Sequence, residues 1–137
     1  METKTINIIM VDDNVQFRTN LKKYIESDLG CSVIAEASNG REFLELLNTE
    51  VPDIILMDIA MDEMDGIEAT KRALWINHNL KIVAITMHTE KVYLLQLIET
   101  GFKGCVFKPD IFYHLPTALK IVMKGELYIP EKIPLNK

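Results

Sequence analysis

Five residues stand where chemistry could happen. Asp12 and Asp13 follow the apolar run Ile6-Asn7-Ile8-Ile9-Met10-Val11, and Asp58 follows Ile54-Ile55-Leu56-Met57. Thr86 ends Lys81-Ile82-Val83-Ala84-Ile85-Thr86, and Lys108 with Pro109 follows Gly104-Cys105-Val106-Phe107. Taken singly, each has a plain reading: a helix cap, the start of a polar loop, a β-branched strand residue, a solvated strand end. Taken together they do complementary tasks. Three carboxylates at about 4 Å repel by roughly 1–4 kcal/mol per pair, which a divalent cation relieves. Every side-chain ligand on offer is an oxygen, a donor set for Mg²⁺ or Mn²⁺ rather than zinc. Mg²⁺ keeps several waters and is usually completed by a phosphate. The Lys108 ammonium and the Thr86 hydroxyl would then hold a phosphoryl group beside Asp58. A carboxylate attacking phosphorus forms an aspartyl phosphate, and such transfer needs little beyond positioning and charge neutralisation.

These residues meet only if the apolar runs are parallel strands of one sheet. Between the runs lie amphipathic stretches: Phe17, Leu21, Tyr24 and Ile25, with Asp13 or Asn14 as cap and Gly30 past the end; then Phe43, Leu44, Leu46 and Leu47. Further on come Ile67, Ala69, Ala73, Leu74 and Ile76, then Val92 to Ile98 closed by Gly101, then Ala118 to Met123. With Ser32-Val33-Ile34-Ala35-Glu36-Ala37 as the second strand, the order is five βα repeats. The strands are mostly continuous Val/Ile/Leu runs, as expected when helices cover both faces. Right-handed crossovers give an α/β, doubly wound, flavodoxin-like three-layer sandwich: a five-stranded parallel sheet with five helices. Ligands in such folds bind outside the carboxyl ends of the strands, where the five residues fall.

The composition suits this reading. A chain of 137 residues with 48% hydrophobic and 26% charged residues fits one domain with its own core. Fifteen Lys+Arg against 20 Asp+Glu leave a net charge of −5, too acidic for a duplex-binding or membrane-binding face. Cys31 and Cys105 lack metal-type spacing and sit in apolar runs, as free thiols of a reducing compartment do. No signal peptide and no membrane-length run is visible, so a cytoplasmic location is expected. Residues 1–130 read as the domain, and residues 131–137 as a terminal extension or the stub of a linker.

The motifs resemble the response regulator receiver domain of two-component signalling. The matching segments are Ile8-Ile9-Met10-Val11-Asp12-Asp13-Asn14, Pro52-Asp53-Ile54-Ile55-Leu56-Met57-Asp58-Ile59, Met64-Asp65-Gly66, Ile82-Val83-Ala84-Ile85-Thr86, and Gly101 through Lys108-Pro109. The likeness runs from about Thr5 to Gly125, and the stretch from Ala118 to Pro130 is similar to the end of receivers in the NarL/FixJ branch. The resemblance implies Asp58 as phosphoacceptor from a histidine kinase or phosphotransfer protein. It implies Mg²⁺ held by Asp13, Asp58 and the backbone carbonyl of Ala60, with Asp12 acting through water. Thr86 and Lys108 would contact the phosphoryl oxygens, and the Lys108–Pro109 bond would be cis. Such a protein is a phosphorylation-controlled switch with slow self-dephosphorylation, not a turnover enzyme.

Several positions depart from the family pattern. Asp62 stands where Pro is common. Cys105 stands where a switching aromatic is usual. Met87 follows Thr86 where a small residue is common, which would narrow access to Asp58. The run Val92-Tyr93-Leu94-Leu95-Gln96-Leu97-Ile98 is apolar nearly all round, more than one buried stripe requires. Tyr93, Leu94, Leu97 and Cys105 are therefore expected on an output face with the fourth helix, fifth strand and fifth helix, able to form a phosphorylation-dependent homodimer. Three rival readings are weaker. A dehalogenase-like phosphatase expects a second Asp where Ala60 stands. A flavin-phosphate loop would be repelled by Asp12 and Asp13. A degenerate receiver, serving only as an interaction module, would have lost some of the five residues.

Overall fold

The computed structural model describes residues 5–130. The strands are β1 (Asn7–Val11), β2 (Ser32–Ala37), β3 (Ile54–Asp58), β4 (Ile82–Thr86) and β5 (Gly104–Phe107). The helices are α1 (Val15–Ser27), α2 (Gly40–Leu46), α3 (Gly66–Ile76), α4 (Lys91–Thr100) and α5 (Ile111–Met123). All strand pairs are parallel, in the order β2-β1-β3-β4-β5. Adjacent residues of one apolar run serve opposite layers, because successive strand side chains alternate between faces. Ile8, Met10, Leu56 and Ile85 pack with Leu21, Ile25, Leu115, Leu119 and Val122 of α1 and α5. Ile9, Val11, Met57 and Ala84 pack with Phe43, Ala69, Ala73, Leu94 and Leu97 of α2, α3 and α4.

Helix starts follow their sequence signals. The side chains of Asn14, Asn39 and Asp65 cap α1, α2 and α3, accepting from the backbone N–H of Phe17, Glu42 and Glu68. Gly101 closes α4 at φ 119°, a left-handed conformation that favours glycine.

Helix α5 begins seven residues before the expected stretch from Ala118 and carries Pro116 inside it. Proline has no N–H to bond back to residue i−4, here Phe112. The Tyr24 hydroxyl donates to that Phe112 carbonyl at 2.8 Å, and the two rings meet edge to face at 5.0 Å. A long-range side chain thus satisfies the group that the proline orphans. Beyond α5, Tyr128 pairs along β5: Cys105 N–H donates to its carbonyl at 2.9 Å, and its own N–H donates to the Lys103 carbonyl at 3.1 Å. No helix among the described residues is long and apolar enough to cross a membrane. The expected extension at residues 131–137 lies outside the described residues.

Candidate functional site

The order in which the chain adds strands reverses beside β1: β2 lies on one side of it and β3 on the other. That reversal opens a crevice at the carboxyl ends of β1 and β3. Val11 pairs with Met57, so Asp12 and Asp58 are the next residues across the crevice. One strand further, Asp58 pairs with Ile85, and Thr86 pairs with Phe107, the residue before Lys108. Parallel register alone therefore carries Asp12, Asp58, Thr86 and Lys108 to one edge, with Asp13 next in the chain after Asp12.

Three acids and one amine come together. Oxygens of Asp12, Asp13 and Asp58 all lie within 4.8 Å of one another, with Asp12 and Asp58 buried and Asp13 exposed. Lys108 Nζ stands 2.8 Å from Asp12 Oδ2 and 3.7 Å from Asp58 Oδ1, over the face of Phe17 at 4.4 Å from the ring centroid. Asp12 Oδ1 accepts from Asn14 N–H at 2.8 Å. Its Oδ2 is buried and, apart from the ammonium, accepts no hydrogen bond. Burial pushes the Asp58 carboxyl up to about 7, and Asp12 adds to the rise; Lys108 and the Ala60 N–H oppose it. An all-oxygen cluster carrying more negative charge than one lysine neutralises, with a buried oxygen lacking a hydrogen-bond donor, fits a hard divalent cation such as Mg²⁺.

Backbone supports fix this geometry. Gly66 N–H donates to the Ile59 carbonyl at 2.9 Å. A Cβ on Gly66 would strike the Asp58 carbonyl and the Ile59 Cα, so only glycine fits beneath the acid. Glu63, in the same loop, is the one non-glycine residue at positive φ among those described, at 67°, and its carboxylate meets Arg41 at 3.6 Å.

The Thr86 hydroxyl is turned to its own loop, accepting from His88 N–H at 3.0 Å and meeting the His88 carbonyl at 3.4 Å. The Lys108–Pro109 peptide is trans, since no peptide among the described residues is cis. Trans is favoured by about 0.5–1 kcal/mol for X-Pro. The 3-10 turn Lys108–Asp110 after β5 already delivers the ammonium to Asp12 without a cis bond. Leu94 and Leu97, expected exposed, are fully buried against the sheet, and so is Cys105. Leu94 and Leu97 form the core stripe of α4, while Val92 (80% exposed) and Leu95 (37%) face solvent. Tyr93 is half-buried beside the site, its ring 5.0 Å from His88 and its hydroxyl engaged with Thr86; burial holds that phenol above its usual range. Met87 is 55% exposed.

Arg18 escaped the sequence reading. Its side chain is only 12% exposed, and its guanidinium donates to the Asp12 carbonyl at 2.6 Å. The available signal was its place on α1, one turn after the Asn14 cap that follows the acids.

The sequence profile of the response regulator receiver domain matches residues 8–120. The transcriptional regulatory protein DegU of Brevibacillus brevis is 30% identical over 131 residues, 96% of this chain but 56% of its own length. A crystal structure of a LuxR-family two-component response regulator from Aurantimonas sp. superposes with a TM-score of 0.89 at 30% identity, covering 95% of this chain and 93% of the other. The isolated receiver domain of RcsB from Salmonella enterica, solved with the phosphomimetic BeF₃⁻, shares the fold at a TM-score of 0.84 and 24% identity, over 95% of this chain and 96% of that one. With the profile running across all five strands and into the last helix, the chain belongs to the response regulator receiver domain family.

Proposed function

We propose that this chain is a phosphorylation-controlled switch that accepts a phosphoryl group on Asp58 from a histidine kinase or phosphotransfer protein. The observation that carries the reading is the convergence of Asp12, Asp13 and Asp58 with Lys108 at the crevice between β1 and β3. Mg²⁺ held by Asp13, Asp58 and the Ala60 carbonyl, with Asp12 acting through water, would neutralise the acids and the incoming phosphoryl oxygens. The chain's own residues do the rest. An ionised Asp58 oxygen attacks phosphorus, the donor's P–N bond breaks, and the leaving imidazole takes the electron pair and a proton from solvent. Lys108 lowers the Asp58 carboxyl and so favours the ionised nucleophile. It then shifts from Asp12 toward a phosphoryl oxygen.

The Thr86 hydroxyl is the second phosphoryl contact. To reach it, Thr86 must leave His88 and Tyr93, which frees the loop between Met87 and Glu90 that leads into α4. Met87, exposed beside Thr86, narrows access for bulky donors and for water. The output surface is the outer side of α4 with its exposed Val92 and Leu95, and a second copy is one partner it suits. With a net charge of −5, the chain is not itself a nucleic-acid reader. Residues 1–130 are the receiver, and residues 131–137 an extension or linker stub. Ala60, two residues after Asp58, supplies no acid for turnover, so the aspartyl phosphate is lost only by slow hydrolysis. Two free buried cysteines suit a reducing cytoplasm.

The test is labelling with acetyl phosphate. Intact mass should rise by one phosphoryl group with Mg²⁺ present and not with EDTA, and Asp58→Asn should take no label. Full labelling of that variant would overturn the assignment.

A further inference from the structure

Asp13 is the exposed member of the acid cluster, and its carboxylate is placed by the peptide that joins it to Asp12. Both backbone groups of Asp12 are tied. Its N–H donates to the Ala37 carbonyl at 3.0 Å, which continues the ladder between β1 and β2. Its carbonyl lies past the last strand residue and accepts from Arg18 Nη1 at 2.6 Å. The same nitrogen lies 3.2 Å from Ser38 Oγ, and Arg18 Nε donates to Glu36 Oε1 at 3.0 Å. Glu36 is held in turn by Lys22 at 3.6 Å. A planar guanidinium with donors in a fixed fork thus bridges three segments: the exit of β1, the end of β2 and the turn into α2.

We infer that Arg18 is a positioning residue for the acid cluster. By holding the Asp12 carbonyl it fixes the Asp12–Asp13 peptide plane, and with it the direction in which the Asp13 carboxylate enters the cation site. A peptide is planar, so pinning its carbonyl oxygen sets where the next Cα lies. Without Arg18 the carbonyl loses its protein donor and turns toward water, carrying Asp13 with it. The inference rests on the cation-dependent switch proposed above.

Electrostatics gives the inference a sign that a merely structural role does not share. Arg18 is a positive charge close to the site, so on charge alone its removal would tighten cation binding. Loss of positioning must weaken it, and loss of an outer partner typically weakens metal binding by 10–100-fold.

The experiment is Mn²⁺ binding to the folded chain, read by the paramagnetic resonance of free Mn²⁺ and by calorimetry. Arg18→Met should raise the Mn²⁺ Kd by about 10–100-fold, and saturating Mn²⁺ should restore most of the acetyl phosphate labelling rate. Glu36→Gln, which leaves Arg18 on the Asp12 carbonyl, should stay within about threefold of the parent. Arg18→Met combined with Asp13→Asn should bind no more weakly than Asp13→Asn alone, because Arg18 acts through Asp13. Binding by Arg18→Met that equals or exceeds the parent's would overturn the inference, as would additive losses in the double variant. If Arg18→Met fails to fold, Arg18→Gln decides: its shorter, neutral side chain leaves the Asp12 carbonyl without the guanidinium, so an unchanged or tighter Kd refutes the positioning role. A parent chain that binds no Mn²⁺ would overturn the proposed function itself, and this inference with it.

Discussion

Replacing Asp58 by Asn should stabilise the metal-free protein at pH 8 and lose that advantage at pH 4. The Asp58 carboxyl is raised from 3.8 to about 7 by burial and by Asp12. Well below the ordinary value of 3.8 it is protonated in both the folded and unfolded chain, so it adds no pH dependence there. Between pH 4 and 7 the folded chain holds a proton that the unfolded chain has released. Stability therefore falls with rising pH, by about 1.4 kcal/mol per unit, and levels off above pH 7. Three units give about 4 kcal/mol of penalty at pH 8. Movement of Lys108 toward Asp58, from its 3.7 Å separation, offsets part of it. About 2–4 kcal/mol then remains for Asn to recover, since its neutral amide can donate to the neighbouring acids. For a chain of this size that is a rise in melting temperature on the order of 10 °C. The assay is thermal unfolding in EDTA at pH 4 and pH 8, parent against Asp58→Asn. Added Mg²⁺ should stabilise the parent more than the variant and narrow or reverse their order at pH 8. Equal melting temperatures at pH 8 in EDTA would refute the reasoning, as would a gap of the same size at both pH values.

Two further perturbations test the supports around the site. Lys108→Met removes the ammonium 2.8 Å from the buried Asp12 carboxylate. It should cost about 3–5 kcal/mol in urea melts without metal, because a buried charge loses its partner, and Mg²⁺ should recover part of the loss. Tyr24→Phe removes the donor to the Phe112 carbonyl that Pro116 leaves open. The bond is exposed to solvent, so the loss should cost about 0.5–1 kcal/mol, and the cost should shrink in a Pro116→Ala background, where the helix supplies its own N–H.

The sequence by itself determined the sheet and most of its neighbourhood. Continuous apolar runs as in Ile54-Ile55-Leu56-Met57 can be buried on both faces only in a helix-covered parallel sheet. Once the strands are parallel, register delivers Asp12, Asp58, Thr86 and Lys108 to one edge. Those features depend on local pattern and on a few topological rules. What escaped depends on contacts between residues far apart in the chain. Helix α5 reaches back past Pro116 to Ile111, and Tyr24, from α1, satisfies the carbonyl that the proline frees. Helix α4 looked apolar all round, and only packing showed that Leu94 and Leu97 face the sheet while Val92 and Leu95 do not. Pro109 is trans, and the turn after β5 aims Lys108 at Asp12 without a cis bond. Arg18 carried no motif of its own, since its partners at Glu36 and Ser38 approach it only when β2 lies beside β1. Local chemistry thus chose the elements and the acids, and long-range packing decided which side chains hold them in place.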